Sequence, residues 1–271
     1  MLNYFITEKG KILTNLLNVL LLKNLLSHKS SAKRLIKQKI IFFFMEIEVL
    51  AVFFAVVAGI TYYFSNKLNI KKKSYGHKIF SFSAGISITY VLLDLFPTFT
   101  EVAAGISKLL FLSIPIGFII HHLIEKEIYL HNKKNELVKV LTLEENTFSF
   151  VYHILLGIVL VAFLRESLFQ GILLFIPIIL FTFVSTLPTK RHQKFSKAVL
   201  LASSTLFGTI IGIFWKHIPI VVEATFIGLV TGVLLFTVVR HHIPFGRKGK
   251  VSYFTLGFLI YAAIIVASWF I

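Results

Sequence analysis

The hydrophobic pattern of this chain consists of long apolar runs separated by short polar connections. About 20 apolar residues, each rising about 1.5 Å, cross the hydrocarbon core of a bilayer. By that length we predict eight spans, all helical. They cover residues 46–64, 79–97, 109–129, 147–164, 167–187, 197–216, 219–239 and 252–271. The sequence therefore predicts an all-α, polytopic membrane protein whose eight-helix transmembrane bundle occupies residues 46–271.

The amino-acid composition narrows the class of protein and its possible partners. Of the 271 residues, 56% are hydrophobic and only 15% are charged, which leaves too little polar surface for a soluble domain. Cysteine is absent, so disulfides and thiolate metal sites are excluded. The formal charge of +16 is typical of basic loops that face anionic lipid, so we expect the lipid bilayer as partner and no nucleic acid. We expect a multi-pass protein of the cell membrane.

Lysine and arginine alternate along the predicted connections and set the orientation. Eight of the 28 precede the first span, and the seven connections then carry 5, 1, 4, 1, 4, 1 and 4. Cytoplasmic loops are the basic ones. Connections one, three, five and seven are therefore predicted to be cytoplasmic, with both termini outside.

The N-terminal segment, residues 1–45, departs from that alternation because it is basic on the predicted outer side. Its one apolar run, ILTNLLNVLLL at 12–22, has no small-residue cleavage site after it and so does not resemble a signal peptide. An amphipathic surface helix is one interpretation. The favoured hypothesis is that translation starts at Met45, in which case the basic segment is not part of the native chain.

Asp94 and His153 are the ionisable residues placed deepest in the predicted spans. Such groups are costly in hydrocarbon and are functional candidates by default. Asp94, one turn before Pro97, is either a solvated carboxylate at the interface or the mouth of an ion path. His153 is either a neutral imidazole hydrogen-bonded between helices or a cation ligand.

Three further polar positions have structural explanations that we favour. Ser185 and Thr189 bracket Pro188, and hydroxyls commonly satisfy the carbonyls that a proline frees in a membrane helix. Glu125 stands beside Lys126 at the end of the third span, where the pair predicts an anchor at the membrane interface.

Motifs of enzymes are missing from the sequence. It contains no P-loop, no Gly-x-Ser-x-Gly and no His-Glu-x-x-His, and it has no cysteine nucleophile. We therefore expect no enzymatic activity.

The second predicted span carries a resemblance to a known family. The segment FSAGISITYVLLDLFPTFTEV, residues 82–102, resembles the second span of the ZIP family of zinc and iron transporters, with Asp94, Pro97 and Glu101 on family positions. Eight spans with both ends outside are also the family's architecture. Three more segments are similar to family spans, namely 117–128, 203–212 and 226–244.

The sequence departs from the ZIP pattern at the positions where the family binds metal. The family carries His and an acid in span four, and His-x-x-Pro-Glu in span five. Here Tyr152 and Leu156 stand at the span-four positions, with His153 beside Tyr152, and Ser185 and Thr189 stand at the span-five positions. Only His153 is a good nitrogen donor.

The resemblance implies a ZIP-like transporter that moves a divalent, zinc-like cation as its substrate, with no tightly bound cofactor. Its candidate metal ligands are His153, Asp94, Ser185, Thr189, Tyr152 and Glu125. Alternatives are a relative of the same fold that has lost metal transport and serves another solute, regulation or assembly, and an unrelated permease or intramembrane enzyme. The oligomeric state stays open, with a homodimer among the options.

Overall fold

The computed structural model describes residues 30–65, 75–131, 134–185, 195–242 and 249–270, and these residues form helices and no strand. A 3₁₀ turn covers Lys108–Leu112, and π-helical turns cover Val91–Leu95 and Val238–His242. The α-helices are α1 Ser30–Ser65, α2 Gly76–Tyr90, α3 Phe96–Ile106, α4 Ser113–His131, α5 Lys134–Glu166, α6 Leu168–Ser185, α7 Phe195–Ala202, α8 Ser204–Phe214, α9 Ile220–Thr237 and α10 Val251–Ser268.

Among the described residues, six helical segments are long and apolar enough to cross a membrane. They are Glu46–Ser65, Gly76–Ile106, Lys108–His131, Thr147–Glu166, Ile220–Arg240 and Val251–Ser268. The predicted fifth and sixth spans fall on the shorter apolar helices Leu168–Val184 and Ser204–Phe214. Helix α1 begins at Ser30 and runs continuously through the domain boundary that the sequence predicts at residue 45.

Helices α2 and α3 form one rod that is interrupted by the first π turn. Pro97 lies in the first turn of α3. A proline there lacks an N–H group, and its ring would collide with the carbonyl of Leu93 in a straight α-helix. The wider π turn over Val91–Leu95 supplies the room for that ring.

The helices pack as two groups. The first group contains α1, α5, α6, α7 and α8, and the second contains α2, α3, α4, α9 and α10. The most extensive pairs lie within a group, namely α5 with α8, α2 with α10, and α4 with α9. The two groups meet mainly where α2 contacts α6 and where α5 contacts α9 and α4.

Glycines bring the helices of each major pair into close contact. In all three pairs, a Cβ built on either glycine would meet the backbone of the partner helix. Small residues at such positions allow two membrane helices to approach along their backbones. The reciprocal glycines are Gly85 and Gly257, Gly117 and Gly232, and Gly157 and Gly208.

A tight connection joins α5 to α6 at one end of the bundle. Ser167 begins the new helix, since its Oγ accepts a hydrogen bond from the Phe169 backbone N–H at 3.1 Å. Arg165 donates to the carbonyl oxygens of Ile213 at 3.1 Å and Trp215 at 3.3 Å, which lie at the end of α8. Its guanidinium thereby satisfies carbonyls that the helix itself leaves unpaired. We call this end of the bundle the Arg165 end.

Candidate functional site

Asp94 lies in the π turn between α2 and α3, with only 5% of its surface exposed. Its carboxyl interacts with the side chains of Tyr90 and Gln170 and lies within electrostatic range of Glu166. Tyr90 and Gln170 approach this carboxyl without good hydrogen-bond geometry, so Asp94 Oδ2, the Tyr90 hydroxyl and Gln170 Oε1 complete no hydrogen bond within the described part of the chain. Buried polar atoms are rarely left in that state. Asp94 therefore lies in a buried cluster of polar side chains, which we call the chamber, close to the Arg165 end.

Asp94 continues a line of polar side chains on α2. Ser83, Ser87 and Tyr90 follow one another at spacings of four and three, so they share one face of the helix. All three are fully buried, and their hydroxyls have no partner among the described residues. The α2 polar stripe, as we name Ser83, Ser87, Tyr90 and Asp94, runs from the helix interior to the π turn.

The stripe lies on a different face of α2 from the packing surface for α10. Gly85 contacts the backbone of Phe254 in α10, and Gly257 of α10 contacts the backbone of Phe82. With 3.6 residues per turn, Ser83 and Ser87, each two positions from Gly85, are rotated by about 160° from it. Ser83 and Ser87 thus point away from the glycine contact with α10, whereas Tyr90 meets α10 at Tyr261.

Three tyrosines from three helices surround the inner side of Asp94. Tyr90 of α2 lies within electrostatic range of Tyr152 of α5 and of Tyr261 of α10. The rings of Tyr90 and Tyr261 are 6.3 Å apart. Tyr261 donates a hydrogen bond of 2.5 Å to the backbone carbonyl of Leu173 in α6, whereas the buried Tyr152 hydroxyl has no partner within the described residues.

The chamber is built by both helix groups. Tyr90, Asp94 and Tyr261 belong to the second group, and Tyr152 and Gln170 belong to the first. The hydrogen bond from Tyr261 to α6 joins the groups directly. Any displacement of one group against the other would therefore change the surroundings of the Asp94 carboxyl.

His153 is placed in a separate environment. Its Nδ1 lies 2.6 Å from the Ser149 carbonyl oxygen, and its Nε2 lies 3.1 Å from the Thr182 hydroxyl of α6. A carbonyl can only accept, so a neutral His153 carries its proton on Nδ1 and Nε2 accepts from Thr182. The ring also meets Tyr62 of α1 edge-on at 6.0 Å. His153 thus joins helices of the first group, and both ring nitrogens are engaged.

The structure describes the remaining predicted ligands only in part. Glu125 lies in α4 and Ser185 is the last residue of α6, but both side chains lie outside the described structure, as does the whole of Thr189. Within the described residues, no group of three or more His, Asp or Glu side chains converges as a metal ion would require. Of the six predicted ligands, the structure brings Asp94 and Tyr152 to one chamber and turns His153 toward α1 and α6.

Sequence reasoning missed Tyr90, Gln170, Glu166 and Tyr261. The spacing of Ser83, Ser87, Tyr90 and Asp94 was the available signal for the first of these, because it places polar groups on one face of an apolar helix. Glu166 lies in the two-residue connection between the predicted fourth and fifth spans, and Gln170 lies at the start of the fifth. Their approach to Asp94 is a tertiary contact with no local signature.

Comparison with protein families and with curated proteins gives no match for this chain. The fold alone shows the class of protein. The six apolar helices of membrane-spanning length in the described part of the chain define a multi-pass helical membrane protein.

Proposed function

We propose that this protein is a ZIP-like transporter that moves a divalent metal cation across the cell membrane through eight spans. The observation that carries the proposal is Asp94, a carboxyl buried within a membrane-spanning segment and located between two helix groups. Ionisable residues in such places almost always face a bundle interior or a water-filled cavity, and substrate or ion pathways are among the roles that they mark.

Three features of the chamber support transport. The π turn places irregular backbone at the buried Asp94, and discontinuous helices form the substrate sites of many transporters. The α2 polar stripe supplies buried hydroxyls beyond Asp94. The two helix groups provide the bodies whose rocking about a central site gives alternating access.

Under this proposal the Arg165 end faces outward, in line with the charge alternation of the connections. Glu166 is exposed at that end and attracts a cation toward Asp94. The cation then passes the tyrosines and the serines of the stripe toward the basic connections. No covalent chemistry takes place. The protein supplies ligands for the cation and exposes their site first to one side of the membrane and then to the other.

The test is uptake into liposomes that contain the purified protein and an enclosed metal-sensitive dye. Replacing Asp94 by Asn keeps the side-chain volume and removes the charge, so we expect cation flux to fall at least about tenfold, the loss that about 1.4 kcal/mol of binding or barrier energy causes. Glu127→Gln is the matched control, because Glu127 is exposed in α4 and pairs with His131 at 2.9 Å. Equal flux in the two variants would remove Asp94 from the path.

A second candidate is a protein of the same fold that no longer transports metal and serves another solute or a partner. It is favoured by His153, whose two nitrogens are hydrogen-bonded instead of turned to the chamber. This candidate predicts no flux of any divalent cation and no thermal stabilisation by micromolar zinc. A clear shift of the unfolding temperature by zinc counts against it.

A further inference from the structure

We infer that an anionic phospholipid binds in a cleft between α4 and the π turn that follows α9. The cleft has a volume of about 230 Å³, and the described residues that line it are Phe118, His122, Phe236, Val239 and Arg240. The lipid is a bound ligand of the helix bundle and not a transported solute, so the inference does not depend on the proposed function.

The walls of the cleft are mainly apolar. The centre of the Phe236 ring lies 5.2 Å from that of Phe118 and 5.8 Å from that of His122. Apolar walls of this kind bind an acyl chain through the hydrophobic effect. The cleft is smaller than the about 300–1,000 Å³ of a site that encloses a whole small molecule, so it holds one segment of a longer ligand.

The cleft opens toward the bilayer. Val239 is 37% exposed at its rim, and Ile119 and Leu123, which neighbour the cleft residues of α4 in sequence, are 46% and 56% exposed. Apolar side chains that a membrane helix exposes are in contact with lipid tails. An acyl chain therefore reaches the cleft directly from the bilayer, which favours a lipid over a soluble phosphate compound.

Arg240 and His122 supply hydrogen-bond donors at the same cleft. Both residues are exposed, and a guanidinium binds phosphate oxygens in pairs. Arg240 takes part in a further contact of the chain, but its guanidinium carries five N–H donors, so one contact does not exhaust it. His122 donates from whichever ring nitrogen carries the proton. The phosphate of a lipid headgroup accepts from both residues.

The cleft lies at the end of the bundle opposite the Arg165 end. Trp215, whose carbonyl accepts from Arg165, has its ring 6.3 Å from that of Phe226 near the start of α9. From Phe226 to Arg240 the helix rises by about 20 Å. The charge alternation predicts that this second end is cytoplasmic, and anionic lipid is characteristic of the cytoplasmic leaflet.

Charge around the cleft favours an anionic headgroup over a zwitterionic one. Among the described charged side chains of α4, Lys126 lies one turn beyond His122 on the same face, whereas Glu127 is rotated by about 140° from His122. The sequence from residue 240 to residue 271 contains no Asp or Glu. Basic pockets between membrane helices on the cytoplasmic side bind anionic headgroups.

Native mass spectrometry of the purified full-length protein in detergent, titrated with phosphatidylglycerol or phosphatidylcholine, tests the site. We expect phosphatidylglycerol to bind at least about fivefold more tightly, the factor that one basic residue near an anionic surface contributes. Arg240→Gln should remove about that factor. Val239→Trp keeps every charge and fills the cleft, so it should weaken the binding of both lipids.

Lys250→Gln is the matched control, because Lys250 is exposed on the same basic connection and does not line the cleft. It should keep the preference for phosphatidylglycerol. Unfolding temperatures in lipid-free detergent show which variants are folded, and Val239→Trp tests the site even if Arg240→Gln unfolds. Excess glycerol phosphate, which has the phosphate without acyl chains, should leave the lipid bound.

Four results would overturn the inference. Equal affinity for the two lipids is one, and an equal loss in Lys250→Gln and Arg240→Gln is another, because either means that lipid collects at the basic end without a defined site. Unchanged lipid binding in a folded Val239→Trp protein is the third. Displacement of the lipid by glycerol phosphate is the fourth, because it assigns the cleft to a soluble phosphate compound.

Discussion

Replacing Gly208 by Ala should destabilise the protein more than any other glycine-to-alanine change in α8. A Cβ built there would meet the carbonyl oxygen of Ile154 in α5, with the Ile154 carbonyl carbon at 2.7 Å and its Cα at 2.8 Å. Ordinary van der Waals contacts begin at 3.4 Å, so the added Cβ would lie at least 0.6 Å too close to each of these atoms. All three atoms are backbone, and no side chain can rotate away. Overpacking of this kind costs about 1–3 kcal/mol.

Alanine variants at two other glycines should be more stable than the Gly208→Ala protein. At Gly212 the nearest atoms belong to the Val161 side chain at 3.1 and 3.2 Å, which can shift, so its alanine variant should lose less. Gly105 has no atom within 4 Å, and alanine there gains about 1 kcal/mol of helix propensity at most. Thermal unfolding in detergent measures all three. A Gly208→Ala protein as stable as the Gly105→Ala protein would refute the close packing of α5 on α8.

Two further changes test contacts at the group interface and at the Arg165 end. Tyr261→Phe leaves the Leu173 carbonyl without its 2.5 Å partner and should cost about 1–3 kcal/mol by thermal unfolding. Tyr152→Phe removes a buried hydroxyl that has no hydrogen-bond partner among the described residues and should cost less, so similar losses in both variants would contradict the assignment. Arg165→Lys keeps the charge but cannot span the carbonyls of Ile213 and Trp215, so the unfolding temperature should fall, and an unchanged temperature would show that this cap contributes nothing.

The helical class and the positions of the helices could be predicted from the sequence, because burial in a bilayer imposes long apolar runs that a single sequence displays. The predicted spans over 46–64, 147–164 and 219–239 agree closely with Glu46–Ser65, Thr147–Glu166 and Ile220–Arg240. The π turn at Val91–Leu95 could not be predicted, because its cause is a local accommodation of Pro97 within an otherwise ordinary helical pattern.

The candidate site was only half predictable. Asp94 is conspicuous in any apolar run, and the resemblance pointed to Tyr152 as well. The direction of His153 was not fixed by the sequence, since Tyr152 and His153 are adjacent and point to different faces of one helix. Only the packing of α1 and α6 on α5 shows that Tyr152 takes the chamber side and His153 the side of Thr182.

The π turn also links the number of residues in this segment to the presence of Pro97. It contains one residue more than a regular α-helical turn, so deleting a single residue within Val91–Leu95 would restore an ordinary helix. The two halves of the rod would keep nearly the same rotation about their axis, because the π turn takes up the extra residue within one turn. The Pro97 ring would then meet the carbonyl of the residue four positions before it. In this segment the proline and the extra residue therefore depend on each other.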